Sequence, residues 1–424
     1  MTDATAAVGR VFAHGVASGD PLPDGFVLWT RVTGAGAGGT EVGWVVAADP
    51  LLDDVVASGT AFADAEADHT LHVDVSGLQP ATSYWYGFSA LGRSSPIGCT
   101  RTLPGDDASS VRLATVSCAK YNAGFFNGYG RIADRTDLDF VVHLGDYIYE
   151  AAQKPPPSQT PAADIGREVD PLHECITLGD YRRRYAHYHL DPDVQRLHAA
   201  HPVIATLDDH ELADGAWRDG SVEHRTNGDD PWADRRARAF RARWEWLPTR
   251  PPDPADPERV FRSVRLGRLA DLLLVDTRSR RDEPVPPPAM NDPGRTALGA
   301  EQRDSLALEV RRNPFDPSSP SVAAEFTTAS LTSQNVDDKM HWPSRTRSLA
   351  IEEAVVNALP HVAWCELDSN GYVVLDVRPE RVTAEWWHVD TVLRPSTVER
   401  CSARWSVEAG PPRLVAEPLP AAAD

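Results

Sequence analysis

The sequence lacks the features that mark several large classes of protein. Only five of its 424 residues are cysteine, and these are odd in number and far apart, at Cys99, Cys118, Cys175, Cys365 and Cys401. Such spacing does not indicate a disulfide framework. The chain also contains no run of about 18 apolar residues, so we expect no membrane-spanning helix.

The first residues lack the parts of an export signal. The segment MTDATAAVGRVFAHG has no basic start, no apolar stretch after it and no twin arginine, which are the marks of secretory and twin-arginine signals. We therefore expect a cytoplasmic protein as the sequence stands, or an exported protein whose signal has been trimmed.

Basic residues are fewer than acidic residues in this chain. The chain has 42 Lys and Arg residues against 62 Asp and Glu, which gives a formal net charge of −20. Nucleic acids and anionic membrane surfaces bind basic faces, so neither is an expected partner. Carboxylates are hard oxygen ligands for cations such as Ca²⁺ and Mg²⁺, so the composition is compatible with metal binding.

Residues 10 to about 104 have the pattern of an all-β sandwich. Short segments of alternating polarity are separated by Gly, Pro and Asp turn signals, as in sandwich domains. A Gly-Leu-Gln-Pro corner at 77–80 precedes the aromatic strand Tyr84-Trp85-Tyr86, an order that resembles immunoglobulin-like and fibronectin III-like domains. The alternative is a generic antiparallel sheet. We assign residues 1–107 to this domain and expect its strands to stay outside the sheet that contains Val141.

After residue 107 the pattern changes to α/β. The runs 111–117, 140–144 and 202–207 are nearly continuous apolar segments with helical stretches between them, and such runs indicate strands buried on both faces. We assign residues 108–395 to an α/β domain and residues 396–424 to a C-terminal tail. Open sheets of this kind place their ligands at the carboxyl ends of the strands.

Three successive strands end in side chains that can bind metals. Cys118 follows the first strand, Asp146 and Tyr149 follow the second, and Asp209 and His210 follow the third. Each motif alone has an ordinary explanation as a turn-forming Asp, a helix N-cap or a small buried Cys. Their shared position at successive strand ends favours one common metal site.

The order of these motifs resembles that of the calcineurin-like metallophosphoesterases, and its details resemble the PhoD-like alkaline phosphatases. The resemblance extends over nearly the whole chain, through segments such as HGVASGDPLPDGFVLWTRV, HLGDYIYE, DDHELADGAW and VDTRSRRD. It implies an all-β immunoglobulin-like or fibronectin III-like sandwich followed by an α/β-sandwich metallophosphatase domain. It also implies hydrolysis of phosphate mono- or diesters with Fe³⁺ and Ca²⁺. The oligomeric state stays open.

The resemblance implies roles for the strand-end residues. Cys118, Asp146 and Tyr149 match iron-side ligands, and thiolate and phenolate are strong donors to Fe³⁺. Asp209 matches a ligand of the second metal, and His210 beside it is a candidate acid or transition-state stabiliser.

Two arginines are further candidates. Arg278 and Arg281 follow a later strand that ends at Asp276, and a guanidinium can bind phosphate oxygens in pairs. The alternative for both is solvated charge in an arginine-rich stretch.

One segment that the resemblance implies is absent. Relatives have a strand ending in Gly-Asp-x-His after the helix that matches residues 298–304, and this strand supplies histidine ligands to the second metal. Here Asp304 runs almost directly into Leu308, and no Gly-Asp-x-His occurs. The domain is thus shortened near 305–308. The explanations are a genuine shortened paralogue, a gene-model error, or replacement by another histidine such as His341.

The shortening leaves two candidate functions. The first is a metal-dependent phosphatase or phosphodiesterase with a metal-activated water. The second is a catalytically impaired family member that acts as a binding or structural protein.

Other clusters are interpreted as ordinary structure. His187 and His189 lie two residues apart on a helix and do not face each other, which favours the helix surface. His143, inside a buried strand, is interpreted as a core histidine. The arginines between Arg235 and Arg243 are typical of a solvated helix face.

Overall fold

The computed structural model describes residues 11–153, 165–224, 230–286, 289–292, 294–305, 323–410 and 412–420. The strands are β1 (Val16–Leu22), β2 (Gly25–Arg31), β3 (Thr40–Ala47), β4 (Val55–Ala63), β5 (Thr70–Ser76), β6 (Ser83–Ala90), β7 (Arg93–Ser94), β8 (Gly98–Arg101), β9 (Val111–Val116), β10 (Phe140–His143), β11 (Val203–Ala205), β12 (Arg262–Leu266), β13 (Ala270–Leu274), β14 (Gly371–Val377), β15 (Arg381–Val389), β16 (Glu399–Glu408) and β17 (Leu414–Ala416). The α-helices are α1 (Asn127–Ala133), α2 (Leu178–His189), α3 (Pro192–Ala200), α4 (Trp232–Trp246), α5 (Gly299–Ser305), α6 (Val336–Met340) and α7 (Ser348–Ala358). Short 3₁₀ helices cover Ala65–Ala67, Tyr121–Ala123 and Ala289–Asn291.

Local capping signals set the helices between β10 and β11. α2 begins after Thr177, whose side chain accepts the N–H of Asp180 while the Asp180 carboxylate accepts the N–H of Thr177, a reciprocal capping box. α3 begins after Asp191, whose side chain accepts the N–H of Asp193, as expected of an N-cap. Within the described ranges, no helix has the length and apolarity that crossing a membrane needs.

A ten-stranded sheet forms the centre of the protein, in the order β17-β16-β15-β14-β9-β10-β11-β1-β2-β5. Strands β9, β10 and β11 pair in parallel, and β14 continues the sheet antiparallel to β9. Apolar side chains of α1 to α4 pack on one face of the parallel strands. The mixed α/β arrangement is therefore confirmed, and the loops after the three parallel strands meet at one sheet edge.

The N-terminal strands belong to two sheets. β3, β4, β6, β7 and β8 form one sheet, whereas β1, β2 and β5 continue the ten-stranded sheet through the parallel pair Gly19 and Val203. The expectation that these strands stay outside the sheet that contains Val141 is therefore wrong. Gly19 allows this pairing because it has no Cβ, so the backbone of β1 can approach β11 closely. A Cβ at this position would collide with the carbonyl oxygens of Val203 and Pro248. The N-terminal strands nevertheless enclose an apolar core of their own.

The predicted C-terminal tail is also partly wrong. β16 pairs with β15 along almost its whole length, and β17 pairs with β16 at the edge of the sheet. The segment ERCSARWSVE has the alternation of a strand, since Ala403 and Trp405 pack against the core formed by β14 and β15.

A hairpin of β12 and β13 lies on the other face of the central sheet. Leu266 and Leu274 of this hairpin pack against Leu113, Phe140 and Val142. An apolar cavity of about 430 Å³ lies between the hairpin and the sheet. In the part of the chain that the structure describes, no third strand joins the hairpin; residues 306–322, next to the predicted shortening, lie outside that part.

Candidate metal centre

Tight turns after β9 and β10 place the first two predicted ligands side by side. Cys118 and Asp146 have φ angles of 59° and 54°, a left-handed conformation that is uncommon for residues other than glycine. The N–H of Cys118 donates to the carbonyl of Gly145 at 3.3 Å, and the N–H of Ala119 donates to the carbonyl of Asp146 at 2.9 Å. Main-chain hydrogen bonds thus join the two loops at the sheet edge.

The side chains of Cys118, Asp146 and Tyr149 are in contact. The Tyr149 hydroxyl donates to Asp146 Oδ2 at 2.8 Å and lies 2.6 Å from Ser333 Oγ. Cys118 lies beside this pair, since the pKa of its thiol responds to the charge of Asp146 and to hydrogen bonding with Tyr149 and Asp146. Asp146 and Tyr149 are buried, and Cys118 is half-buried.

This shared burial determines the acidity of the three groups. Burial, and then the charge of Asp146, raises the pKa of the Cys118 thiol to about 12. Burial is also the largest cause that raises the pKa of Asp146, to about 6, and that of Tyr149. A bound cation reverses this effect, because metal ligation stabilises thiolate and phenolate. The three side chains therefore fit a metal ion in their donor chemistry.

Asp209 and His210 extend this cluster beyond Asp146. Asp146, Asp209 and His210 each offer one ligand atom within 4.8 Å of the others, a spacing that could hold a metal ion. The N–H of His210 donates to Asp146 Oδ1 at 3.3 Å, and the N–H of Gly215 donates to Asp209 Oδ2 at 2.7 Å. His341, the considered replacement for the missing histidine, is exposed at the end of α6 and is not a member of this group.

Glu211, which the sequence analysis did not single out, joins two of the loops. Its carboxylate accepts the N–H groups of Asp146 and Asp208 at 3.0 Å each and that of Tyr147 at 2.8 Å. One buried side chain thereby sets the distance between the loop after β10 and the loop after β11. The sequence feature that could have indicated this role is the position of Glu211 as the last residue of the Asp-Asp-His-Glu motif.

Glu150, a second buried glutamate that was missed, holds His210. Its Oε2 lies 2.8 Å from His210 Nδ1, and its Oε1 accepts the N–H of Asp214 at 2.6 Å. The Tyr149 ring lies against the imidazole, with ring centroids 4.0 Å apart. Burial lowers the pKa of His210, but the hydrogen bond and charge of Glu150, with the charges of Asp146 and Asp209, raise that pKa to about 10. His210 therefore donates Nδ1–H to Glu150, and in this protonated form its Nε2–H is a hydrogen-bond donor and not a metal ligand.

Replacing Glu150 with glutamine should destabilise the protein at neutral pH. The raised pKa of His210 contributes stability that is complete below its unfolded value near 6.5 and is lost as the pH rises through about 10. We expect Glu150→Gln to lower the free energy of unfolding at pH 7 by about 1.5–3 kcal/mol. Denaturant unfolding measures this change, with the exposed Glu353→Gln as control. An unchanged stability at pH 7 would contradict the assigned pair.

The two predicted phosphate clamps have different surroundings. Arg278 binds both carboxylate oxygens of Asp208, with Nη2 at 3.0 Å from Oδ2, and its Nη1 lies 3.4 Å from Asp209 Oδ2. Arg281 instead donates to the carbonyl of Ala216 at 3.1 Å. Arg278 therefore borders the ligand cluster, whereas Arg281 supports the loop after β11.

The interpretation of the α4 arginines as a solvated face is wrong at both ends of the run. Arg235 and Arg243 are buried. Arg243 Nη2 donates to the carbonyls of Ala205 and Thr206 at 3.0 and 3.1 Å, at the end of β11. Arg235 pairs with Glu174 at 2.7 Å. Both guanidinium groups thus satisfy acceptors that the local sequence does not reveal.

Aromatic and histidine side chains pack below the site. The Tyr147 hydroxyl lies 3.2 Å from His189 Nε2 and 2.8 Å from His198 Nε2, so the surface interpretation of His189 is wrong. His143 is a core histidine as interpreted, since its Nε2 lies 2.7 Å from the Tyr129 hydroxyl. Burial is the largest cause that lowers the pKa of His143 to about 3 and that of His198 to about 4.

Two protein-family models match this chain. The model for "PhoD-like phosphatase" matches residues 113–314 and 305–386, and that for "PhoD-like phosphatase, N-terminal domain" matches residues 2–104. The two stretches of the first match overlap at 305–314, where the sequence analysis places the shortening.

Individual proteins give the same result. "Alkaline phosphatase D" of Bacillus subtilis (strain 168) is 35% identical over 313 residues, which are 70% of this chain and 52% of that protein. The chain thus spans about half the length of that curated relative. A solved structure described as "Structure of PhoD" has a TM-score of 0.83 and 26% identity, covering 96% of this chain and 92% of that chain.

Proposed function

The chain belongs to the PhoD-like phosphatase family, and on this premise we propose that it is a metal-dependent hydrolase of phosphate mono- or diesters. The contact between Cys118, Asp146 and Tyr149 is the observation that carries the proposal. A thiolate, a carboxylate and a phenolate together form a strong donor set for Fe³⁺. The resemblance implies Ca²⁺ on the Asp209 side, where the carboxylates offer oxygen ligands but the Gly-Asp-x-His segment is absent.

The residues around the ligands support this chemistry. Bound cations of this kind supply Lewis acidity toward phosphoryl oxygens. His210 is held by Glu150 through Nδ1, lies in one group with Asp146 and Asp209, and can donate its Nε2–H to the leaving-group oxygen. Arg278 borders the same carboxylates and can bind phosphate oxygens in pairs.

The N-terminal strands supply none of the predicted ligands, the first of which is Cys118; β1 pairs with β11, the strand before the loop that carries Asp209. Their separate family match over residues 2–104 favours a boundary near 104–110. We propose that this N-terminal part is an immunoglobulin-like or fibronectin III-like sandwich.

Two observations favour the second candidate function, that of a catalytically impaired family member. The sequence contains no Gly-Asp-x-His segment, and the hairpin of β12 and β13 has no further strand among the described residues. A chain with only one half of a two-metal site would bind phosphate esters and hydrolyse them weakly or not at all.

Hydrolysis of p-nitrophenyl phosphate and bis(p-nitrophenyl) phosphate, with Fe³⁺ and Ca²⁺ supplied, separates the two functions. We expect the parent protein to exceed a Cys118→Ala/Asp146→Ala variant by about 10²-fold or more, on the scale of losing one preorganised electrostatic group. A folded, iron-containing parent that is as inactive as the double variant would overturn the hydrolase proposal in favour of the impaired family member.

A further inference from the structure

Buried hydrogen bonds fix the backbone from which Arg278 extends. Asp276 is fully buried, and its Oδ1 accepts the N–H groups of Arg278 and Ser279 at 2.9 and 2.8 Å. Gln302 binds both main-chain groups of Asp276, at 2.8 and 2.9 Å. The position of Arg278 is thus determined by the turn after β13 as well as by the carboxylates that it meets.

The Arg278 guanidinium binds two carboxylates on the Asp209 side of the metal centre. Nε and Nη2 contact both oxygens of Asp208, and Nη1 lies 3.4 Å from Asp209 Oδ2. The two hydrogen bonds to Asp208 use two of the five N–H groups of a guanidinium, and the contact with Asp209 is an ion pair. Only 23% of the side chain is exposed, so solvent and salt screen these attractions less than at an open surface.

A divalent cation on Asp209 would compete with this arginine. Its position would lie beside a guanidinium of the same charge sign, and one Asp209 oxygen is already engaged by the N–H of Gly215 at 2.7 Å. The histidines of the Gly-Asp-x-His segment, which would hold such a cation against the repulsion, are absent from the sequence. Among the described residues, the carboxylates of Asp208 and Asp209 offer oxygens that could bind a cation, but Arg278 already holds them.

We infer that Arg278 takes the place of the second cation in this chain. Its guanidinium neutralises Asp208 and Asp209, and the N–H groups that it does not use on Asp208 bind the phosphoryl oxygens that a second cation would otherwise polarise. The part of this inference that concerns substrate rests on the proposed function, whereas the part that concerns the cation rests on the contacts of Arg278.

Calcium titration of the full chain by calorimetry tests the inference. We expect the parent to show no Ca²⁺ site that depends on Asp209. Arg278→Ala should gain one Ca²⁺ site, at least 10-fold tighter than any in the parent, and Arg278→Ala/Asp209→Asn should lose it. Arg280→Ala is the matched control, because Arg280 pairs with Asp256 at 2.7 Å, and it should behave as the parent does. Arg278→Gln gives the same comparison if Arg278→Ala does not fold.

Two results would overturn the inference. One is a Ca²⁺ site in the parent that Asp209→Asn abolishes, and the other is a folded Arg278→Ala or Arg278→Gln variant that gains no site. Neither result depends on ester hydrolysis, so failure of the inference and failure of the proposed function are distinguishable.

Discussion

On the proposed function, Cys118→Ala should abolish iron binding and lower the hydrolysis of bis(p-nitrophenyl) phosphate by at least about 100-fold relative to the parent. Loss of partners that only orient a metal ligand typically costs 10–100-fold, and Cys118 is assigned as a ligand itself. The charge of Asp146 and hydrogen bonding with Asp146 and Tyr149 act on its thiol, so Cys118 lies beside the Asp146 end of the cluster formed by Asp146, Asp209 and His210.

Elemental analysis of iron per chain, together with the activity assay, measures this effect. Cys401→Ala is the matched control. Cys401 lies on β16, which β14 and β15 separate from β9, the strand before Cys118. Full iron content in a folded Cys118→Ala protein would contradict the assignment of this cysteine.

Acidification below pH 6.5 should unfold the protein steeply. Burial lowers the pKa of His14 and of His143 to about 3 and that of His198 to about 4, so these imidazoles are neutral in the folded protein at pH 6.5. The unfolded chain binds protons near pH 6.5, so the stability that they contribute is present above that pH and falls as the pH drops toward 4. The slope for each histidine rises toward about 1.4 kcal/mol per pH unit below pH 6.5, so the three together cost roughly 7 kcal/mol between pH 6.5 and 4.5, and the raised pKa of Asp146 offsets part of this.

Denaturant unfolding at several pH values, followed by tryptophan fluorescence, measures the slope. His198→Gln should reduce the slope by about one third, because one of three linked protonations is removed. His173→Ala, at an exposed position, should leave the slope unchanged. Equal stability at pH 7.5 and pH 4.5 would show that the buried histidines do not control acid unfolding.

The strand-end ligands could be predicted because their signals are local. Each of Cys118, Asp146 and Asp209 follows an apolar run, and parallel strands bring their carboxyl ends to one edge. Tyr149 contacts Asp146 because the two residues lie in one loop, with only two residues between them. Their roles as ligands stay predictions.

The partners of these residues could not be predicted because they depend on contacts between distant segments. Glu150 and Glu211 are acidic residues at the ends of recognisable motifs, yet only the packed loops show that each binds groups about 60 residues away. The buried Arg243 is a similar case, because its acceptors are main-chain carbonyls of β11. Alternating polarity likewise predicted the strand β1 but not its neighbour, which is set by the space that Gly19 leaves beside Val203.

The visible absorption spectrum of the iron-loaded protein tests most directly whether the cluster is an iron site. Coordination of the Tyr149 phenolate to Fe³⁺ would produce a charge-transfer band that colours the protein. We expect this band at one iron per chain, its loss in Tyr149→Phe, and its retention in Tyr121→Phe, a half-buried tyrosine outside the ligand set. A colourless protein that contains one iron per chain would contradict the account.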